Sequence, residues 1–332
     1  MKNFWRKPPK KKKHKPKSTP KQRPTAPKSQ PEFWTPPHPT KPKTPVTEER
    51  LLVEAPVKYE ISPAPAVSEK QQILEPIQRQ KYVSPKGQQA RKDFLKTFRS
   101  LTAERRSWDI WSDFITLSAC TISNAVDKLH FKEREETYLN IIRKYTKQEQ
   151  EHFPKLFAYT VLALEENPEQ DFLGDLYTEL HLQEDQRKQD FTPYHVCQLM
   201  AEVTFGDLVQ QVEDKGYVEI HDCCCGGGVT LIAAANVAKQ KLEKAGLNFQ
   251  NHILVSGQDL DNIVTMMCYI QLSLLGVAGY FKIGNALTKP MSIGDSLENY
   301  WFTPMYFFPV WHYRRLYRQL DKLISSDNNR DI

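Results

Sequence analysis

The residues with the most chemical meaning stand together at 222–228, where Asp222-Cys223-Cys224-Cys225 runs directly into Gly226-Gly227-Gly228. Gly226 and Gly228 allow a sharp backbone turn and a close approach to a ligand, because no Cβ stands in the way. A dinucleotide turn would read Gly-x-Gly-x-x-Gly and meet a pyrophosphate at a helix N-terminus. Here an acidic residue comes ahead of the glycines, which suits a ligand without a pyrophosphate and tilts the reading from NAD toward S-adenosylmethionine. Three adjacent cysteines invite a metal, but neighbouring side chains diverge and zinc ordinarily needs a second, separated ligand pair. No metal is expected, and Cys224 and Cys225 read as small buried turn residues. Asp259 follows the next apolar run and is placed to accept hydrogen bonds from ribose hydroxyls. Asp261 reads as a helix cap, and His195 and His221 as ordinary satisfied or exposed histidines.

These residues need elements to position them. Tyr217–His221 reads as a strand entering the glycine turn, and Val229–Lys244 as the helix leaving it, with Gly246 as its stop. His252–Gly257 reads as a second strand, Leu260–Leu275 as a buried helix stopped by Gly276, and Gly279–Ile283 as a third strand ending at Gly284-Asn285-Ala286-Leu287. Alternating strand and helix imply a parallel sheet that binds ligands at its strand carboxyl ends.

Upstream, from about Lys92, apolar residues recur at helical spacing: Phe94, Leu95, Phe98 and Leu101, then Trp108, Trp111, Ile115, Ala119, Ile122 and Val126. Tyr138–Tyr145 continues the pattern, and Leu156–Leu164 follows Pro154. Four or five helical segments are expected. The chain's net charge is +6, yet residues 1–50 alone carry fifteen Lys/Arg and three Glu, so the remainder is net acidic. Residues 1–90 hold seventeen of the 23 prolines. A segment this poor in aliphatic residues cannot offset its ordering entropy, so 1–88 is expected to be a disordered Lys/Pro-rich tail. Such a tail either adds salt-sensitive phosphate affinity or serves as a solubilising tail or a partner-binding tether. No apolar run reaches the roughly 20 residues of a membrane span, and the first 30 residues lack an apolar signal core. The six cysteines, three of them adjacent, do not read as a disulfide framework, so a reducing cytoplasmic setting is expected.

The order of motifs then becomes informative. Phe191-Thr192-Pro193 precedes the first strand, and Asp222-x-Cys-Cys-Gly-x-Gly follows it. Asp259 ends strand two, and Gly284-Asn285-Ala286-Leu287 follows strand three. This sequence resembles the amino-methylating DNA methyltransferases, in particular the methylation subunit of type I restriction–modification systems and related phage-borne adenine methylases. The resemblance covers about residues 92–306 and is best over 170–290. It implies S-adenosylmethionine as cofactor and DNA as partner. Phe191, Thr192 and Pro193 would hold its methionine end, Asp222, Cys224, Gly226 and Gly228 would line the turn, Asp259 would hold the ribose, and Asn285 would sit near the adenine amine. The family often has Asp where Asn285 stands, and usually Pro where Cys223 stands.

The chain departs from the family at the catalytic loop. Adenine methylases carry Asn-Pro-Pro followed by Tyr or Phe after the fourth strand: two acceptors take the amine hydrogens and the aromatic ring stacks on the flipped-out base. That tetrad is absent from this sequence. Thr303-Pro304-Met305-Tyr306 keeps one proline and the aromatic, so Thr303, Pro304 and Tyr306 are the expected degenerate catalytic loop; an apolar strand end with a proline turn is the plainer alternative. Val310–Leu323, with Arg314, Arg315 and Arg318, reads as a closing basic helix.

The resulting expectation is an α/β protein: a disordered basic Pro-rich tail over 1–88, a helical domain over 89–182, and a methyltransferase-like, Rossmann-like parallel sheet over 183–332. That sheet is reduced at its C-terminal side or completed by a partner. The expected activity is methyl transfer from S-adenosylmethionine to the exocyclic amine of adenine in DNA, in a restriction–modification or phage setting, with a specificity or second methylase subunit as partner. The alternatives are a catalytically silent accessory subunit that binds cofactor and DNA, and a methylase of protein glutamine or RNA.

Overall fold

The computed structural model describes residues 84–102, 105–182, 191–292 and 294–317. The expected disordered tail lies outside these residues but for its last few positions, and so does the end of the basic helix beyond 317. Six helical segments come first: α1 (Pro85–Leu101), α2 (Ser107–Val126), α3 (Phe131–Ile142), α4 (Lys147–Gln150), α5 (His152–Glu166) and α6 (Phe172–Glu179). Helix α1 begins earlier than the proline content suggested. Pro85 occupies the first turn, where its missing N–H costs nothing, and the Ser84 hydroxyl accepts from Gly87 N at 3.0 Å. Pro154 is tolerated near the start of α5 for the same reason.

The helical block is held by aromatic rings. Phe94, Phe98, Trp111, Phe114 and Phe172 are all almost fully buried, and Phe94 meets Trp111, Phe114 and Phe172 edge-on. Edge-to-face pairs of this kind add roughly 0.5–1.5 kcal/mol each beyond area burial. The same core continues without a break into the sheet.

Two further helices, α7 (Tyr194–Thr204) and α8 (Leu208–Lys215), lead to the strands. These are β1 (Val218–Asp222), β2 (Ile253–Asp259), β3 (Ala278–Ile283) and β4 (Tyr300–Phe302). Between them lie α9 (Val229–Lys244), α10 (Phe249–His252) and α11 (Asn262–Leu274). The sheet order is β1-β2-β3-β4. The first three strands are parallel, as expected, with Asp222 opposite Gly257 and Asp259 opposite Ile283. Strand β4 differs: it runs antiparallel to β3, with Phe302 opposite Tyr280 and Tyr300 opposite Lys282. Residues 309–317 are helical and pack back on the sheet, where Trp311 Nε1 donates to Gln250 O at 2.9 Å.

Arg134 ties the helical block to β4. Its guanidinium donates to Asp127 Oδ2 at 2.9 Å, to Ser123 Oγ and to Tyr300 O at 2.6 Å, and lies 3.8 Å over the Trp301 ring. A buried arginine needs such full pairing, since removing one partner of a buried charge pair costs roughly 3–5 kcal/mol. Among the described residues, no helix is long and apolar enough to cross a membrane.

Candidate functional site

The carboxyl ends of β1, β2 and β3 converge on the glycine turn. Asp222 closes β1, and its Oδ1 accepts from Cys224 N at 3.0 Å, which curls the chain back over the strand end. Cys225 N donates to Gln258 O at 3.0 Å, and Gly226 N donates to Asp259 Oδ2 at 2.9 Å. The turn is thus bonded to the end of β2 by one backbone and one side-chain acceptor. Asp259 Oδ1 accepts from Asp261 N at 3.0 Å, so both carboxylate oxygens are oriented while each keeps a further lone pair. Asp261 caps α11 as expected, its Oδ1 accepting from Ile263 N and Val264 N.

Two glycines are required here by geometry. Gly226 has φ +50°, and Gly228 has φ +96°. A Cβ added at Gly228 would stand 2.7 Å from Cys268 Sγ and 3.0 Å from Cys268 Cα, so any side chain there would collide with α11. Among the described residues, no hydrogen bond reaches the Gly226–Gly227 peptide from either side, whereas Gly228 N donates to Cys225 O at 2.8 Å and Gly227 O accepts from Gln271 Nε2 at 3.0 Å. One peptide of the turn is therefore left to meet a ligand.

The expected cofactor residues are brought together unequally. Phe191 packs against the turn, its Cε1 3.5 Å from where a Cβ on Gly226 would lie, and its ring meets Tyr177 at 5.6 Å. Thr192 and Pro193 follow it, exposed, at the start of α7. Asn285 comes two residues after β3, beside a chain fixed to β2 by Gly284 N donating to Asp259 O at 2.8 Å. Its Oδ1 already accepts from Leu287 N at 2.9 Å and Thr288 N at 3.2 Å. Cys225 is buried as expected, but Cys224 is exposed, because the Asp222 turn directs it away from the core. Burial raises the Cys268 thiol well above its ordinary range, and partial desolvation raises Cys224.

Thr303, Pro304 and Tyr306, the expected degenerate catalytic loop, lie at the other end of β3 from the glycine turn. Strand β4 is antiparallel, so the residues after it lie beside the start of β3. Thr303 Oγ1 accepts from Gly279 N at 2.8 Å and Thr303 N donates to Gly279 O at 3.0 Å. Gly279 and Ile283 stand four positions apart along β3, roughly 13 Å at the usual rise. Thr303 is fully buried. Tyr306 is half-buried, its ring stacking on Phe302 at 4.9 Å and meeting the Arg315 guanidinium 4.0 Å from its centroid.

Asp171 and Gln271 also hold the turn, and no local motif in the sequence marks them. Asp171 caps α6, with Oδ1 accepting from Gly174 N at 2.9 Å, and the same oxygen accepts from Gln271 Nε2 at 2.8 Å. Gln271 is fully buried in α11 and is the residue that grips Gly227 O. Burial lifts the Asp171 carboxyl to about 6. An amide in the middle of an otherwise apolar helix was the signal available for Gln271.

The comparisons with known proteins bear on this geometry. Residues 168–314 match the family model of the N-6 DNA methylases. The matched span starts just ahead of Asp171 and takes in all four strands of the described sheet. No curated protein matches the chain. Among solved structures, the chain is similar to the methyltransferase subunit of a type I restriction–modification system from Streptococcus thermophilus, with 15% identity and a TM-score of 0.34 over 63% of this chain and 61% of that one. It is also similar to a Listeria monocytogenes protein provisionally assigned as a class I S-adenosylmethionine-dependent methyltransferase, with 16% identity and a TM-score of 0.29 over 57% of this chain and 56% of that one. The chain thus spans about three fifths of the length of the first of these structures.

Proposed function

We propose that the methylase region binds S-adenosylmethionine at the carboxyl ends of β1–β3 and serves the N6 methylation of adenine in DNA. The observation that carries this reading is the join between Gly226 N and Asp259 Oδ2, which sets a ribose-accepting carboxylate beside an unengaged glycine peptide. The residues present fit the cofactor. Asp259 keeps acceptor capacity for hydroxyl groups, the Gly226–Gly227 peptide offers a donor and an acceptor, and the turn is a cradle that a Cβ would fill. Leu260 and Leu287, which follow β2 and β3, are 71% and 93% exposed, and offer apolar surface to a flat base. When bound, the cofactor supplies a sulfonium methyl. Phe191, Asp222, Cys224, Gly226, Gly228, Asp259 and Asn285 would orient it.

The accessory reading is favoured for the transfer step by the position of Thr303. Accepting the hydrogens of an adenine amine takes oxygens near the methyl group, and the Thr303 hydroxyl is committed to Gly279 at the other end of β3. The sheet order gives a second reason. Ligands in open parallel sheets bind where the strand order reverses, and the order β1-β2-β3-β4 among the described residues contains no reversal. A strand laid parallel to the outer edge of β1 would create one at the glycine turn. That edge is regular, free of proline and bulges, and adjoins a groove of 420 Å³ lined by Gln211, Lys215, Tyr217, Val218 and Glu219. A second methylase or specificity subunit would then supply the amine acceptors and the sequence readout, while the Lys-rich segment adds sequence-independent phosphate affinity.

Calorimetry with S-adenosylmethionine, together with tritiated-methyl transfer to DNA, tests both parts. Binding without transfer by this chain alone is the expected result. No affinity for the cofactor or its demethylated product overturns the first part, and transfer by this chain alone overturns the second.

A further inference from the structure

The geometry points to Asp171 and Gln271 as positioning residues for the cofactor turn, a buried carboxylate–amide clamp through which the helical block sets the path of Gly226–Gly228. This rests on the cofactor reading above and assigns a role to two residues outside the turn itself.

Every polar atom of the Gln271 side chain is used. Its Nε2 donates to Asp171 Oδ1 at 2.8 Å and to Gly227 O at 3.0 Å, while its Oε1 accepts from Leu173 N at 3.0 Å. The Leu173 N–H can meet only an acceptor, so the amide orientation is fixed, and with it the hydrogen aimed at Gly227. Asp171 in turn holds that amide from the first turn of α6, where it also accepts from Gly174 N. Its second oxygen lies 3.6 Å from where a Cβ on Gly227 would stand.

The consequence for the ligand follows from peptide planarity. Holding Gly227 O inward fixes the 227–228 peptide plane. With Gly226 N tied to Asp259, Gly226–Gly227 is the one peptide of Gly226–Gly228 that no hydrogen bond reaches among the described residues. The clamp therefore selects the orientation this peptide presents. The helices enter by the same route, since Trp111 meets Tyr177 at 6.1 Å and Tyr177 meets Phe191, which lies on the turn. A structural glutamine would need only Leu173 and Asp171; the third bond, to Gly227, is the one that reaches the site.

Two variants separate positioning from folding. In Gln271→Glu the new carboxylate faces both Asp171 and Gly227 O, so stability and turn order both fall. In the double variant Asp171→Asn with Gln271→Glu, the Asn amide nitrogen takes the place of Oδ1 and donates to the Glu carboxylate; Leu173 N keeps its acceptor, Gly174 N gives up its cap at the start of α6, and Gly227 O loses its donor. The expected result is a melting temperature restored toward the parent, while S-adenosylmethionine binds about tenfold more weakly, the effect of one hydrogen bond. Amide hydrogen exchange of residues 223–228, measured without cofactor, should be faster in the double variant while that of β2 and α11 stays at the parent level. Parent-like exchange in the turn of the restored double variant overturns the clamp. A parent chain that binds no cofactor overturns the proposed function instead, and the exchange result still decides the clamp.

Discussion

Gly226 and Asp259, 33 residues apart in sequence, are joined by one hydrogen bond of 2.9 Å, from the turn's N–H to Asp259 Oδ2. With Asp261 N on the other oxygen, the carboxylate is fixed on both sides before any ligand arrives. Asp259→Asn can keep only one of these acceptors, because its amide nitrogen must face the other N–H. The variant should fold but bind S-adenosylmethionine roughly 10- to 100-fold more weakly, from an unpaired donor plus a lost charged acceptor. Titration calorimetry of the folded variant checks this. Affinity equal to the parent would separate Asp259 from the ligand.

Gly228 offers a test of the turn's shape. A Gly228→Ala chain must place a methyl 2.7 Å from Cys268 Sγ at φ +96°. Left-handed backbone costs a non-glycine residue roughly 1–2 kcal/mol, and forced overpacking typically adds 1–3 kcal/mol. The expected loss of about 2–5 kcal/mol should appear in chemical denaturation. Pairing it with Cys268→Ala should recover the part due to Sγ and leave the backbone part and the 3.0 Å contact with Cys268 Cα, so a double variant as unstable as the single would place the strain elsewhere.

The outline of the site could be read from the chain because its signals are local. Strand, glycine turn and helix follow one another between 217 and 244, and β1 and β2 came within a residue or two of their expected bounds. What was not legible depends on pairing across the fold. Nothing in Tyr300-Trp301-Phe302 says that it runs antiparallel to β3, yet that one fact carries Thr303 to the end of β3 away from the glycine turn. Asp171 was hidden for a related reason. Its cap spacing to Gly174 is visible, but its partner Gln271 lies 100 residues away. The start of α1 at Pro85 is not legible from the number of prolines, because position decides whether one breaks a helix.

Protonation gives a further handle on the buried clamp. Burial raises the Asp171 carboxyl from its ordinary 3.8 to about 6, and Asp175, on the same helix, is raised in the same sense by burial. The folded state then holds its proton more tightly than the unfolded state. Stability from this group is present in full below the unfolded value, is lost as pH rises from about 4 to about 6, and is absent above. The size at Asp171 is on the order of 3 kcal/mol. Urea melts across this pH range should show the decline, superimposed on the opposite trend of the paired surface carboxylates. The same melts on Asp171→Asn should lose this component. An unchanged pH profile in the variant would show that the carboxylate titrates normally.

Thr303 provides the sharpest contrast between a catalytic and a structural role. Its hydroxyl accepts from Gly279 N at 2.8 Å in a fully buried position, so Thr303→Val removes the acceptor while preserving shape. Leaving a buried N–H unmet costs roughly 1–3 kcal/mol. The variant should therefore melt earlier, yet its affinity for S-adenosylmethionine, measured well below the melting point, should equal the parent's. Tyr306→Ala should behave alike, losing the stacking on Phe302 and the contact with Arg315 without touching the cofactor. If instead either variant kept its stability and lost methyl transfer in an assembly that supports it, β4 would have to approach the strand carboxyl ends in the working state, and the partition of cofactor binding from amine activation would fail.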